Sequence, residues 1–376
     1  MPDVAVIADP HFHDITHRPG GGTGPTAAVR TLADTMISTR VFNEGHAAFR
    51  TVLDDIVARG IKLVIIAGDL TDDGQAHTMR AAADLLRAYA TRHGVRFFVT
   101  PGNHDLYAIH GRHQSKRFLN PDGTHTLVTS DSNAPPGDSV ARIITDEMYC
   151  GGYEPALRAM APFGFFRTEA DLHWESPFGA DDRLESRTFE IRSADGGTTR
   201  RMIDASYLVE PMPGLWLFAI DANVFEPRNG DGDPAAERSY IDSTDAGWNS
   251  MVRNKPFVLR WMHDVARRAA QQGKRLLTFS HYPMIAPTAG TTEDEVRLFG
   301  ETSFVRRLPS AATTAAALAT GIKVHVSGHL HLNDTALSRQ DDGFLVNISV
   351  PSLVAFPPAY KVVTHEGGRL VVQSLP

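Results

Sequence analysis

Five short stretches gather side chains that bind metals or move protons: Asp9-Pro10-His11, Gly68-Asp69, Gly102-Asn103-His104-Asp105, His281 ahead of Tyr282 and Pro283, and Gly328-His329-Leu330-His331. Carboxylate, imidazole and amide donors without a thiolate suit iron, manganese or zinc, and donor type alone does not choose among them. Two imidazoles one residue apart on a glycine-led turn suit neighbouring cations. Each piece is weak alone. Asp-x-His and Gly-Asp recur by chance in unrelated chains, and a lone histidine such as His281 is more often a satisfied core residue than a ligand. The ordered series is the signal.

The elements that must position these residues are legible around them. Val4 to Ala8 is an apolar run followed at once by Asp9, the pattern of a buried strand delivering a carboxylate at its C-terminal end. Leu63 to Ala67 leads likewise into Gly68-Asp69, Val95 to Val99 into Pro101 and Gly102-Asn103-His104, Leu276 to Phe279 into Ser280-His281, and Val324 to Ser327 into Gly328-His329. Phe49, Val52, Leu53, Ile56 and Val57 recur at helical spacing before a stop at Gly60; further helices are expected from Gln75 to His93 and from Pro256 to Gln272. Such alternation predicts an open α/β sheet, whose sites lie beyond the carboxyl ends of its strands. After His331, Phe344 to Ser349, Lys361 to Thr364 and Leu370 to Gln373 read as strands of a second sheet packed on the first. Residues 107–206 are rich in Pro, Gly, Ser and Asp with weak periodicity. They are expected to be an insertion, a lid or substrate-binding element within one catalytic domain spanning 1–376.

With 376 residues, 42% of them hydrophobic, the chain can bury a full core. The lone cysteine, Cys150, excludes an intrachain disulfide and reads as a buried inert thiol. No run approaches the roughly 18 apolar residues of a membrane span, and no charged start precedes Val4 to Ala8, so a cytoplasmic location is the expectation. A net charge of -7 argues against nucleic acid as the main partner, since that affinity comes from clustered basic surface.

In the order Asp-x-His, Gly-Asp, Gly-Asn-His-Asp, His and Gly-His-x-His, the chain resembles the calcineurin-like metallophosphoesterase superfamily. The resemblance implies a four-layer α/β/β/α sandwich, with two mixed β-sheets packed together and helices outside. It implies two divalent metal ions (iron, manganese or zinc): Asp9, His11 and His331 on one, Asn103, His281 and His329 on the other, and Asp69 bridging. Paired ions about 3.5 to 4 Å apart lower the pKa of bound water, orient phosphate and stabilise attacking and leaving oxygens. His104 is implied as the general acid. Asp72 matches the position of its carboxylate partner in related phosphatases, the alternative being that Asp72 caps the next helix.

Protein serine/threonine phosphatases have arginine where this chain has Asp73 and glutamate where it has Asp105, so the chain looks more like the cyclic-nucleotide phosphodiesterase branch. Tyr107, His110, Arg112 and His113, with Lys116 and Arg117 beyond them, either recognise a base and a phosphate oxygen or form a solvated basic loop. The reading is a binuclear phosphodiesterase acting on a small-molecule phosphoester. A phosphomonoesterase, a nuclease of the same superfamily and a catalytically silent metal-binding scaffold are its rivals.

Overall fold

A computed structural model describes residues 2–22, 25–230, 232–341 and 343–376. The first apolar run forms the strand Val4–Ile7, wholly buried. It pairs in parallel with Leu63–Ala67, which pairs in parallel with Arg96–Thr100. Ile7 sits opposite Ile66, and Ala67 opposite Thr100, so the three chains leave the sheet at nearly one level. On the other side of Val4–Ile7 the antiparallel strands Tyr360–Glu366 and Arg369–Leu375 complete a five-stranded sheet.

The second sheet has seven strands, in the order Asp334–Gln340, Gly343–Ser349, Val324–Ser327, Arg275–Ser280, Leu215–Ile220, Tyr207–Met212 and His173–Glu175. Its middle four are parallel. The expectation of a separate sheet after His331 therefore fails in a specific way: Gly343–Ser349 joins the second sheet, while Tyr360–Glu366 and Arg369–Leu375 return to flank Val4–Ile7. Alternation reports that a strand is half-buried, and it does not report which partner the backbone will find.

Both sheets share one hydrophobic core. They are stitched by Tyr207 Oη donating to the Val99 carbonyl (2.9 Å) and Asn223 Nδ2 donating to the Pro101 carbonyl (2.8 Å). The helices Gly45–Ala58 and Ala76–His93 cover the first sheet, burying Phe49, Leu53 and Ile56 and Met79, Ala82 and Leu86; Pro256–Gln271 and Ala311–Ala319 cover the second. The result is a mixed α/β sandwich.

Within 107–206 a three-stranded sheet (Ser115–Leu119, His125–Thr129, Ala141–Ile144) surrounds a small core of Ala28, Phe118, Val128 and Met148. The hairpin Thr188–Arg192 and Thr199–Ile203 follows, and His173–Glu175 is the edge strand of the seven-stranded sheet. Among the described residues, no helix is long and apolar enough to cross a membrane.

Candidate metal centre

Every ligand candidate sits just past a strand end, and the loops that carry them hold one another. His11 N donates to the Asp69 carbonyl (3.0 Å) and Phe12 N to the Leu70 carbonyl (2.9 Å), which zips the first two loops together. Asp105 braces the next pair: Oδ1 accepts from Thr71 N (2.9 Å), and Oδ2 accepts from Leu70 N (3.1 Å) and Gly102 N (3.0 Å). Asp9, His11, Asp69, His329 and His331 all adopt left-handed φ, between 41° and 71°. Non-glycine residues rarely do so, and such strain concentrates where a site over-determines the backbone.

The side chains converge as two overlapping groups. In the first, His11 Nε2 lies 3.1 Å from His331 Nε2 and 3.7 Å from Asp69 Oδ2, and His331 Nε2 lies 3.6 Å from Asp9 Oδ1. Two ring nitrogens so close must share a proton or a cation. In the second, His281 Nε2 lies 3.0 Å from Asn103 Oδ1, 3.2 Å from His329 Nδ1 and 3.3 Å from Asp69 Oδ2. His281 Nδ1 is 3.1 Å from the Ala67 carbonyl, to which it donates; this leaves Nε2 facing the cluster, the usual way a ligating imidazole is oriented. Asp69 belongs to both groups.

The donor set fits a pair of divalent ions. Three triads of the described residues place oxygens and ring nitrogens close enough for one ion: Asp9, His11 and His331; Asp9, Asp69 and His281; and His11, Asp69 and His104. Among the described residues, His329 Nε2 is buried with no hydrogen-bond partner. Burial drives the pKa values of His11 and His329 well below the usual imidazole range and that of His331 to about 3, so these rings offer lone pairs. Burial alone would also lower His281, yet Asp69 and Asp9 hold it up at about 9. The field that retains a proton there is one that attracts a metal cation. Burial raises the Asp9 pKa well above the ordinary carboxylate range. Uncompensated carboxylates of this kind are costly, and a cation offsets that cost.

His104 approaches from the same loop as Asn103, its backbone N donating to Asp69 Oδ1 (2.8 Å) and its ring edge-on to His11. The carboxylate beside its Nδ1 is Asp73, at 2.5 Å, and not the expected Asp72. Asp73 has a φ of 81°, part of a turn that brings its carboxylate to His104. Asp72 instead meets Lys116 Nζ (2.5 Å), Arg40 Nη1 (2.9 Å) and Arg30 Nη1 (3.5 Å), fully buried. It caps no helix, since the next one, Ala76–His93, has Gln75 at its N-cap.

A cleft of about 830 Å³ opens over the centre, lined by Arg40, Asp69, Asn103, His104, His329 and His331, with the exposed Ile37 and Phe356 at its edge. Of the residues expected to bind substrate, Tyr107 stacks beside His104. The other three face elsewhere. Arg112 covers the Tyr107 ring and pairs with Glu237, His110 lies 3.4 Å from Tyr240 Oη, and His113 Nδ1 lies 3.1 Å from Ser130 Oγ. The segment 107–206 reaches the centre by a different route: Gln114 Nε2 donates to Asp73 Oδ2 (3.1 Å), and Lys116 Nζ lies 3.2 Å from the same oxygen. His13 does not line the cleft; it is buried, with Nε2 2.6 Å from the Ala28 carbonyl. The Cys150 thiol is buried as expected. Nothing in the local sequence distinguishes Asp73 from its neighbour Asp72 as the partner of His104, or marks Arg40 as a residue of the cleft.

Residues 2–186 match the family model for calcineurin-like phosphoesterases. The chain carries a calcineurin-like phosphoesterase domain. His281, His329 and His331 lie beyond the matched residues, and folding returns them to the cluster formed by His11, Asp69 and Asn103. No curated protein matches the chain. Solved structures that align with it include a dimetal phosphatase from Danio rerio, at 13% identity and a TM-score of 0.48, covering 99% of this chain and 95% of that one. A sulfate thiohydrolase from Thermus thermophilus aligns at 13% identity and 0.41, covering 100% and 56%. A phosphopantetheinyl hydrolase from Mycobacterium tuberculosis aligns at 12% and 0.34, covering 93% and 90%.

Proposed function

We propose that the chain is a binuclear metal-dependent phosphoesterase that hydrolyses a small organic phosphodiester. The observation that carries this reading is the pair of donor groups meeting at Asp69, beside one cleft that His104, backed by Asp73, also lines. Asp9, His11 and His331 would hold one ion, and Asn103, His281 and His329 the other. Iron, manganese or zinc bound there would supply Lewis-acid polarisation of the phosphoryl group and acidify water.

The chain's own residues do the remainder. His104 keeps the Nδ1 proton on Asp73, so Nε2 is the nitrogen that carries a proton to the leaving oxygen. The cleft volume is that of a small-molecule site.

Purified protein supplied in turn with manganese, iron and zinc should release p-nitrophenol from bis-p-nitrophenyl phosphate, and faster than from p-nitrophenyl phosphate. A faster monoester reaction would make it a phosphomonoesterase; no turnover with any of the three ions sinks the reading.

A further inference from the structure

The loop between the helix Leu32–Met36 and the short turn Phe42–Glu44 carries Arg40 into the wall of the cleft. Its side chain is only 15% exposed, and Nη1 lies 3.1 Å from His11 Nδ1, 3.3 Å from His104 Nδ1 and 2.9 Å from Asp72 Oδ1. The guanidinium thus stands between an expected ligand and the expected acid, where a phosphate held by both would present an oxygen.

Donor accounting shows what it lacks. A guanidinium has five N–H donors and no acceptor. His104 Nδ1, at 2.5 Å from Asp73 Oδ1, carries the proton of that contact and cannot accept another. His11 turns Nε2 towards Asp69 and His331. Once that lone pair serves a cation, the proton of the neutral ring must sit on Nδ1, which then faces Arg40 as a second N–H. Asp72 is left as the one acceptor of the three, and its Oδ1, though close as an ion pair, is aligned with no hydrogen-bond donor among the described residues. Arg40 is anchored in place by charge on Asp72, and it lines the cleft.

We propose that Arg40 binds the non-bridging oxygens of the substrate phosphate, an inference that rests on the phosphoesterase reading. Anchoring by buried Asp72 pre-pays the ordering of a long side chain, and the planar fork suits two phosphate oxygens.

The probe is inorganic phosphate, its binding followed by calorimetry on manganese-loaded protein, with metal content measured for each variant. Arg40→Ala should keep its metals and bind phosphate about 10- to 100-fold more weakly, the range for a lost charge-assisted contact. Arg40→Lys keeps a cation beside Asp72 but loses the fork, and should weaken binding by about 3- to 10-fold. Metal-replete variants that both bind within about twofold of wild type overturn the assignment. Should Arg40→Ala misfold or lose metal, Arg40→Lys decides alone, and unchanged affinity there overturns it. A wild-type protein that neither cleaves esters nor binds phosphate removes the phosphoesterase reading and Arg40's role together. A wild type that does both, with variants that bind equally well, refutes Arg40 alone.

Discussion

A histidine that protonates a leaving oxygen needs its distal nitrogen to carry the proton it will give and its proximal nitrogen to keep its own. In the proposed mechanism Asp73 sets that arrangement for His104, and Gln114 and Lys116 hold the Asp73 carboxylate from behind. Asp73→Asn keeps the shape and removes the carboxylate that holds the Nδ1 proton. We expect it to slow cleavage of an alkyl phosphodiester by about 10- to 100-fold and to affect a p-nitrophenyl ester far less, since p-nitrophenolate leaves without a proton. Asp72→Asn should slow both substrates alike, because Asp72 acts through Arg40 and Lys116. Rates for the two substrates across both variants check this; a changed ratio in Asp72→Asn but not in Asp73→Asn would reverse the assignment. The side chains that converge were readable because short, rigid spacings such as Gly-His-x-His survive as sequence. Asp73 was hidden by its left-handed turn, and Arg40 by reaching the cleft from a Ser-Thr-Arg stretch that resembles any surface loop.

At the scale of elements, strand ends bring the ligand loops so close that side chains are excluded at particular points. A methyl group on Gly328 would overlap the Asp9 carboxylate and crowd Ala8, and one on Gly102 would overlap Asp69. Neither position has a left-handed φ, so alanine is locally tolerable there and the conflict is with the ligand itself. Gly328→Ala should therefore leave far-UV circular dichroism unchanged while weakening metal retention by about 10- to 100-fold, the effect of displacing a ligand's support. Metal content after dialysis measures it, and full retention would show that the loops have more room than the geometry gives. The five strands that lead into the site were visible as apolar runs ending in polar residues, because each is buried on both faces. Sheet membership was not visible: Tyr360–Glu366 finds Val4–Ile7 across almost the whole chain, and no local pattern encodes that pairing.

For the whole molecule, the centre is a seam. Asp9, His11, Asp69 and Asn103 follow strands of the first sheet, and His281, His329 and His331 follow strands of the second. His11 and His331 are 320 positions apart in sequence, so the unfolded chain offers no comparable site. A cation bound to both halves then stabilises only the folded state, by about 2.7 kcal/mol when its concentration is a hundredfold above Kd. Because both sheets share one core, they should unfold together. With about 2.1 cal/mol/K of unfolding entropy per residue, a chain of 376 residues converts that stabilisation into a rise of about 3 °C per occupied site. Calorimetry with manganese against excess chelator should thus show a midpoint difference of about 6 °C in wild type. His281→Ala, which removes a donor from one group, should halve that difference. Asp69→Ala, which removes the shared carboxylate, should abolish it, whatever either substitution does to the metal-free midpoint. A wild-type midpoint indifferent to chelator would mean that the donors meet without binding, and the seam would then be closed by packing alone.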